Sequence, residues 1–255
     1  HALDRLMTTL SLSARLTALA NPKRFLDISS ALLPWTAGAA IILLGLGFYL
    51  ALFATPPDYQ QGQTVKIMFV HVPAAWMGMF VYAVMAGASF TGLVFKHPLA
   101  DMSAKAAAPL GAAFTALALF TGALWGKPMW GTYWVWDARL TSELILLFIY
   151  LGYIALWDSI EDPVRAAKAT AVLALVGAVN LPIIHFSVDW WNTLHQPASL
   201  LREGGSAIHP AFLWPLLIMA LAYNVLFVWL WLLRVRTEIF RRRARTLMLA
   251  QGAGQ

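Results

Sequence analysis

The sequence predicts an all-α membrane protein: a bundle of six transmembrane helices, both termini cytoplasmic, with a tryptophan-rich periplasmic loop between the third and fourth helices. Three observations predict it. The 255 residues are 60% hydrophobic and only 12% charged, whereas soluble domains run near a quarter charged. The apolar residues gather in six long runs, and the basic residues fall almost wholly to one side of them.

A transmembrane helix needs roughly 20 mostly apolar residues to cross about 30 Å of hydrocarbon. Six runs qualify, at approximately 31–53, 68–95, 104–125, 142–157, 168–188 and 211–233. Backbone groups in hydrocarbon must pair internally, and the alternating pattern of a barrel is absent, so these runs are helices. The fourth is short, and its flanks Arg139 to Glu143 and Trp157-Asp158 read as interfacial anchors. No repeat or second globular domain interrupts the pattern. The chain divides into an amino-terminal cytoplasmic segment 1–30, a six-helix domain 31–234 and a basic cytoplasmic tail 235–255. Residues 1–6 precede Met7 and carry no functional weight, and no cleavable signal peptide is expected.

Orientation follows from lysine and arginine. Arg5, Arg15, Lys23, Arg24, Lys96, Lys105, Arg165, Lys168, Arg234, Arg236, Arg241, Arg242, Arg243 and Arg245 share one side, 14 of the 18 basic residues. Only Lys66, Lys127, Arg139 and Arg202 lie on the other. The first side is therefore cytoplasmic, and the loops near 54–67, 126–141 and 189–210 face outward. A cytoplasmic basic rim facing lipid headgroups also explains the net charge of +6, so no nucleic-acid partner is implied. The absence of cysteine excludes disulfides, zinc or iron–sulfur thiolate sites and thiol redox chemistry. There is no nucleophile elbow, phosphate-binding glycine loop or HExxH helix, so any ATP is hydrolysed by another protein.

The outward segment Trp125-Gly126-Lys127-Pro128-Met129-Trp130-Gly131-Thr132-Tyr133-Trp134-Val135-Trp136-Asp137 holds four tryptophans and a tyrosine in thirteen residues. An interfacial aromatic belt accounts for tryptophan at a membrane surface, yet a belt does not explain its crowding into one loop. Indole faces pack well against a flat conjugated ligand, and Lys127 and Arg139 can meet an anionic edge. Haem fits that description. Of the six histidines, His71 and His185 each stand about a turn inside the outer boundary, on spans two and five, each with a proline nearby (Pro73, Pro182). At similar depth on different helices they suit bis-histidine ligation of an iron. His195, outward and near aromatics, is the rival ligand. His97 reads as a cytoplasmic surface residue and His209 as a loop residue. Asp137 or Thr141 can cap span four, with Arg139 paired to Asp137 or Glu143.

These residues carry a resemblance. The run Trp125 to Glu143 resembles the "WWD" signature of haem-handling membrane proteins. His71-Val72-Pro73-Ala74-Ala75, Asn180-Leu181-Pro182-Ile183-Ile184-His185 and Trp190-Trp191-Asn192-Thr193-Leu194-His195-Gln196 resemble the haem exporter protein C family, the C subunit of bacterial cytochrome c maturation. The resemblance runs from about Pro34 to the end of span six.

It implies non-covalent haem b at the periplasmic face of the inner membrane, with His71 and His185 as axial ligands. Trp125, Trp130, Trp134, Trp136 and Asp137 would lie on its plane or edge. It also implies an ABC-type complex with an ATPase subunit, a second membrane subunit (B) and a small single-span subunit (D). Haem would pass to a periplasmic chaperone (the E subunit), which becomes covalently linked to it. Two rival readings are a cytochrome c synthase of the same WWD group and a permease for a small solute. The synthases are generally longer, and a permease needs more polar mid-membrane residues than Thr115, Thr121 and Asn180.

Overall fold

The computed structural model describes residues 21–195, 206 and 208–252. Arg5, Arg15, Arg202, the stretch 1–20 and the stretch 196–205, part of the loop expected to face outward, lie outside the described residues. Six helical spans are long and apolar enough to cross a membrane, and the protein is a multi-pass membrane protein.

Span one is α1 (Pro22–Tyr49) with a π-helical turn at Leu50–Ala54. It begins well before the apolar run, because Asn21 caps it by accepting from Lys23 N at 2.9 Å and Pro22 needs no amide partner at the first position. Span two is a 3-10 turn, Gln63–Ile67, leading into α2 (Met68–Phe95). Pro73 therefore lies inside α2 and does not begin it. Span three, α3 (Ala100–Trp130), is longer than the sequence suggests. The segment Trp125 to Trp130 is the last part of this helix, which Gly131 ends in the left-handed conformation (φ 78°), donating to Lys127 O at 3.0 Å. Only 131–137 forms the connection to α4 (Ala138–Ser159). That helix has 22 residues and is a full span, capped by Asp137.

Span five is broken. α5 (Pro163–Gly177) and α6 (Asn180–Trp190) meet at Ala178-Val179. Pro182 has no amide to offer Ala178 O, which accepts instead from Leu181 N at 3.1 Å, a tighter turn. Span six, α7 (Pro210–Gly252), runs unbroken for 43 residues, so the helix continues into the basic stretch from 235.

The bundle centres on α2 and α3, which share its most extensive interface, while α1 lies at the edge against α7. Phe69, Met77, Tyr82, Met85, Leu146, Tyr150, Leu216 and Met219 are fully buried among them. Two core tyrosine hydroxyls are satisfied on neighbouring helices. Tyr82 donates to Ala174 O at 3.0 Å and Tyr150 to Gly78 O at 2.8 Å, as a low-dielectric interior requires. At the basic end, Arg236 donates to Leu26 O and to the Ser29 and Ser30 hydroxyls, each at 2.8 Å. Buried Glu238 bridges Lys105 (3.0 Å) and Arg241 (2.9 Å). These contacts fasten the basic stretch of α7 to α1 and α3, and they return both ends of the described chain to one end of the bundle.

Tyr150 reaches Gly78 by crossing directly over Gly111, where an added Cβ would collide with the tyrosine ring. Gly111→Ala is expected to destabilise the bundle by about 1–3 kcal/mol through overpacking. Equilibrium unfolding in mixed micelles measures this, and a wild-type midpoint would contradict the packing described.

Candidate functional site

At the tryptophan-rich end, α2, α3, α4 and the segment after α6 converge on a cavity of about 30 Å³. It is lined by His71, Ala75, Ala118, Leu119, Gly122, Arg139, Leu140, Glu143 and His195. His71 projects from the early turns of α2 onto α3. Its Nδ1 lies 2.9 Å from Ala118 O and 3.3 Å from the Thr121 hydroxyl. The carbonyl can only accept, so the proton sits on Nδ1 and Nε2 keeps its lone pair, the arrangement common in metal-binding histidines. Gly122 makes this approach possible, since a Cβ there would stand 2.8 Å from the imidazole Cε1. Trp125 packs edge-on to His71 with centroids 5.7 Å apart, and its indole N–H donates to Gln61 Oε1 at 3.0 Å.

His195 reaches the same cavity from the segment after α6, held by Asp137. One oxygen of the Asp137 carboxylate, Oδ1, accepts from Leu140 N at 2.8 Å and caps α4. The other, Oδ2, accepts from the Thr193 hydroxyl at 2.5 Å and lies 3.5 Å from His195 Nδ1. The His195 amide closes the turn by donating to the Thr193 oxygen at 3.0 Å. Burial lowers the His195 pKa, outweighing Asp137, which raises it, and Arg139 adds to the lowering. The imidazole is thus kept neutral at physiological pH, with Nδ1 turned to the carboxylate and Nε2 left to accept a metal. Trp130 lies edge-on against it, centroids 4.9 Å apart.

The other residues singled out from the sequence fall into two groups. Trp134 and Trp136 pack edge to face at 5.4 Å on the connection 131–137, with Trp136 77% exposed. Lys127 donates to Gly131 O at 3.0 Å and covers the Tyr133 ring. Arg139 pairs with neither Asp137 nor Glu143. It donates to Ile184 O at 3.1 Å, tying α4 to α6. His185, the next residue, is exposed, its ring against Phe186 and outside the lining of the His71 cavity. His209 accepts from Ala211 N at 3.2 Å at the start of α7. The structure therefore brings His71 together with His195, Trp125 and Trp130, and leaves His185 on another face. Sequence reasoning passed over Thr193 and Gln61, whose roles depend on partners 56 and 64 positions away. Among the described residues no cluster of three or more His, Cys, Asp or Glu is placed to hold a bare metal ion.

The family model described as Heme exporter protein C matches residues 15–250. The chain belongs to the heme exporter protein C family. Relatives bearing that name include a protein of Bradyrhizobium diazoefficiens, 63% identical over 235 residues that cover 92% of this chain and 89% of the relative. One from Escherichia coli K12 is 47% identical over 227 residues, 89% of this chain and 91% of the relative. One from Paracoccus denitrificans is 46% identical over 230 residues, 90% and 95% respectively. Family membership thus extends over all six spans and both histidine-bearing segments of the site.

Asp137→Ala removes a cap worth about 1 kcal/mol and a charge-assisted hydrogen bond worth about 1.5–3 kcal/mol. Amide hydrogen exchange is expected to accelerate in the segment 191–195 and in the first turn of α4 together. Acceleration in α4 alone would show that the carboxylate does not hold the histidine segment.

Proposed function

We propose that this protein binds haem b non-covalently at the periplasmic face of the inner membrane and presents it to a periplasmic haem chaperone during cytochrome c maturation. The observation that carries this reading is the pairing of His71 and His195 at one cavity, each with Nδ1 engaged and Nε2 available. The porphyrin supplies four of an iron's ligands, so two histidines complete its coordination. Membership of the heme exporter protein C family supports haem as the cargo, and cytochrome c biogenesis as the process. The skew of basic residues supports a cytoplasmic position for the end where Arg236 meets Leu26. The subunits B, D and E and an ABC ATPase are the partners that the resemblance implies, with ATP hydrolysed outside this chain.

The donor set fits haem, whereas the cavity of about 30 Å³ is far below the several hundred cubic ångströms a bound ligand of that size occupies. Binding therefore parts the two histidines. His71 is fixed to α3, so the segment 191–195 moves outward with His195. His71 and His195 would hold the iron, Trp125 and Trp130, which pack against those imidazoles, would border the ligand, and Trp134 and Trp136 on the connection 131–137 would form the surface offered to the chaperone. Arg139, which lines the cavity, would meet an anionic group of the ligand. Iron ligation sets the redox potential, and the covalent chemistry belongs to the haem. His195 would be the second histidine on the iron in place of His185, which is exposed and does not line the cavity that holds His71.

Three alanine variants separate the alternatives. His71→Ala and His195→Ala are each expected to weaken haem retention by about tenfold or more, in line with the loss of a supporting group at a metal site, and to abolish the bis-histidine Soret and α/β bands. His185→Ala keeps the wild-type spectrum. Loss of the spectrum in His185→Ala with retention in His195→Ala would reinstate the pair His71/His185. A wild-type protein purified without haem from haem-replete cells would favour a permease.

A further inference from the structure

Glu143 lies in the second turn of α4 and lines the cavity beside His71 and His195. Only 8% of it is exposed, and its Oε1 has no hydrogen-bond partner. A structural role would need a partner, and none of the neighbouring donors turns to it. Arg139, one turn earlier on the same helix face, directs one N–H to Ile184 O and forms no hydrogen bond to Glu143 Oε1. Thr115 on α3 donates to Gly111 O at 2.9 Å, and the Tyr150 hydroxyl donates to Gly78 O. Helix capping does not explain it either, because Asp137 performs that role, and the helix dipole acts within the first turn only. Leaving a carboxyl buried and unpaired in a membrane bundle is costly, and such groups mark function.

We propose that Glu143 is the counter-charge of the bound haem iron: its unpaired carboxylate beside the His71–His195 cavity offsets the extra positive charge of ferric iron and so favours the ferric over the ferrous state. The proposal rests on the haem reading above. On reduction the iron gains one electron from an external reductant, no bond forms or breaks, and the site loses one unit of positive charge. The carboxylate is then left uncompensated in a low-dielectric pocket, which resists the electron. Arg139 and the imidazoles of His71 and His195 also face this space. Arg139 carries a fixed positive charge that acts in the opposite sense and is unaltered in the variants below.

The test is a spectroelectrochemical titration of haem-loaded protein in nanodiscs, with dithionite as reductant. Glu143→Gln is expected to raise the midpoint potential, and Glu143→Asp to keep it near the wild-type value. A residue that only supports the fold would alter the unfolding midpoint and leave the potential unmoved, so an unchanged potential in loaded Glu143→Gln overturns the proposal. If Glu143→Gln takes up no ferric haem, it is offered haem reduced by dithionite. Uptake of the ferrous form alone supports the counter-charge, and uptake of neither form overturns it. Wild-type protein that binds haem in neither state overturns the underlying haem reading as well, an outcome distinct from any that Glu143→Gln alone produces.

Discussion

The carboxylate of Asp137 is shared between two distant stretches of chain, and the arrangement of the site at the tryptophan-rich end depends on that sharing. Through Oδ1 it starts α4; through Oδ2 it holds Thr193 and faces His195. Helix capping alone would have served with serine, threonine or asparagine. An anion with two acceptor oxygens does more, because it orients a histidine and favours the tautomer that leaves Nε2 bare. The tryptophan connection 131–137 ends on this same residue. The segment 191–195, the aromatic connection and the start of α4 are thus joined through one side chain.

The bundle beneath supplies rigidity for one half of the site and freedom for the other. His71 is set by Ala118 O, on the helix with which α2 shares its longest contact, and Gly122 lets the two come close. Tyr82 and Tyr150 lock α2 to α5 and α4 through single hydroxyl–carbonyl bonds. His195 has no such helix beneath it: it hangs from Asp137 and Trp130 at the end of an eleven-residue helix. One histidine is thus held against a long helix and the other by a short segment, so the two sides of the cavity differ in support.

Much of this was legible in the sequence. Hydropathy located six spans because lipid leaves few alternatives to an apolar helix, and the resemblance of the His71, Trp125–Asp137 and Trp190–His195 stretches matched the family. Boundaries were less legible. Trp125 to Trp130 read as a loop because glycine, proline and lysine cluster there, yet Gly131 is what ends α3. The histidine pairing was read from depth in the membrane, which places His71 and His185 level. Azimuth decides which residues share a cavity, and the break at Ala178-Val179 resets the azimuth of α6 in a way that no periodicity through Pro182 reveals. Glu143 was weighed as part of the helix start, and its want of a partner emerged only from the positions of Arg139, Thr115 and Tyr150.

The proposed haem position, between α2 and the segment after α6 with the iron held from His71 and His195, is open to a structure of the haem-loaded protein in a lipid nanodisc. The expected result is porphyrin density with both Nε2 atoms on the iron, the segment 191–195 displaced outward and the His71–Ala118 hydrogen bond intact. Porphyrin seated on the exposed face of α6 against His185, or a closed His71–His195 cavity in the loaded protein, would contradict it.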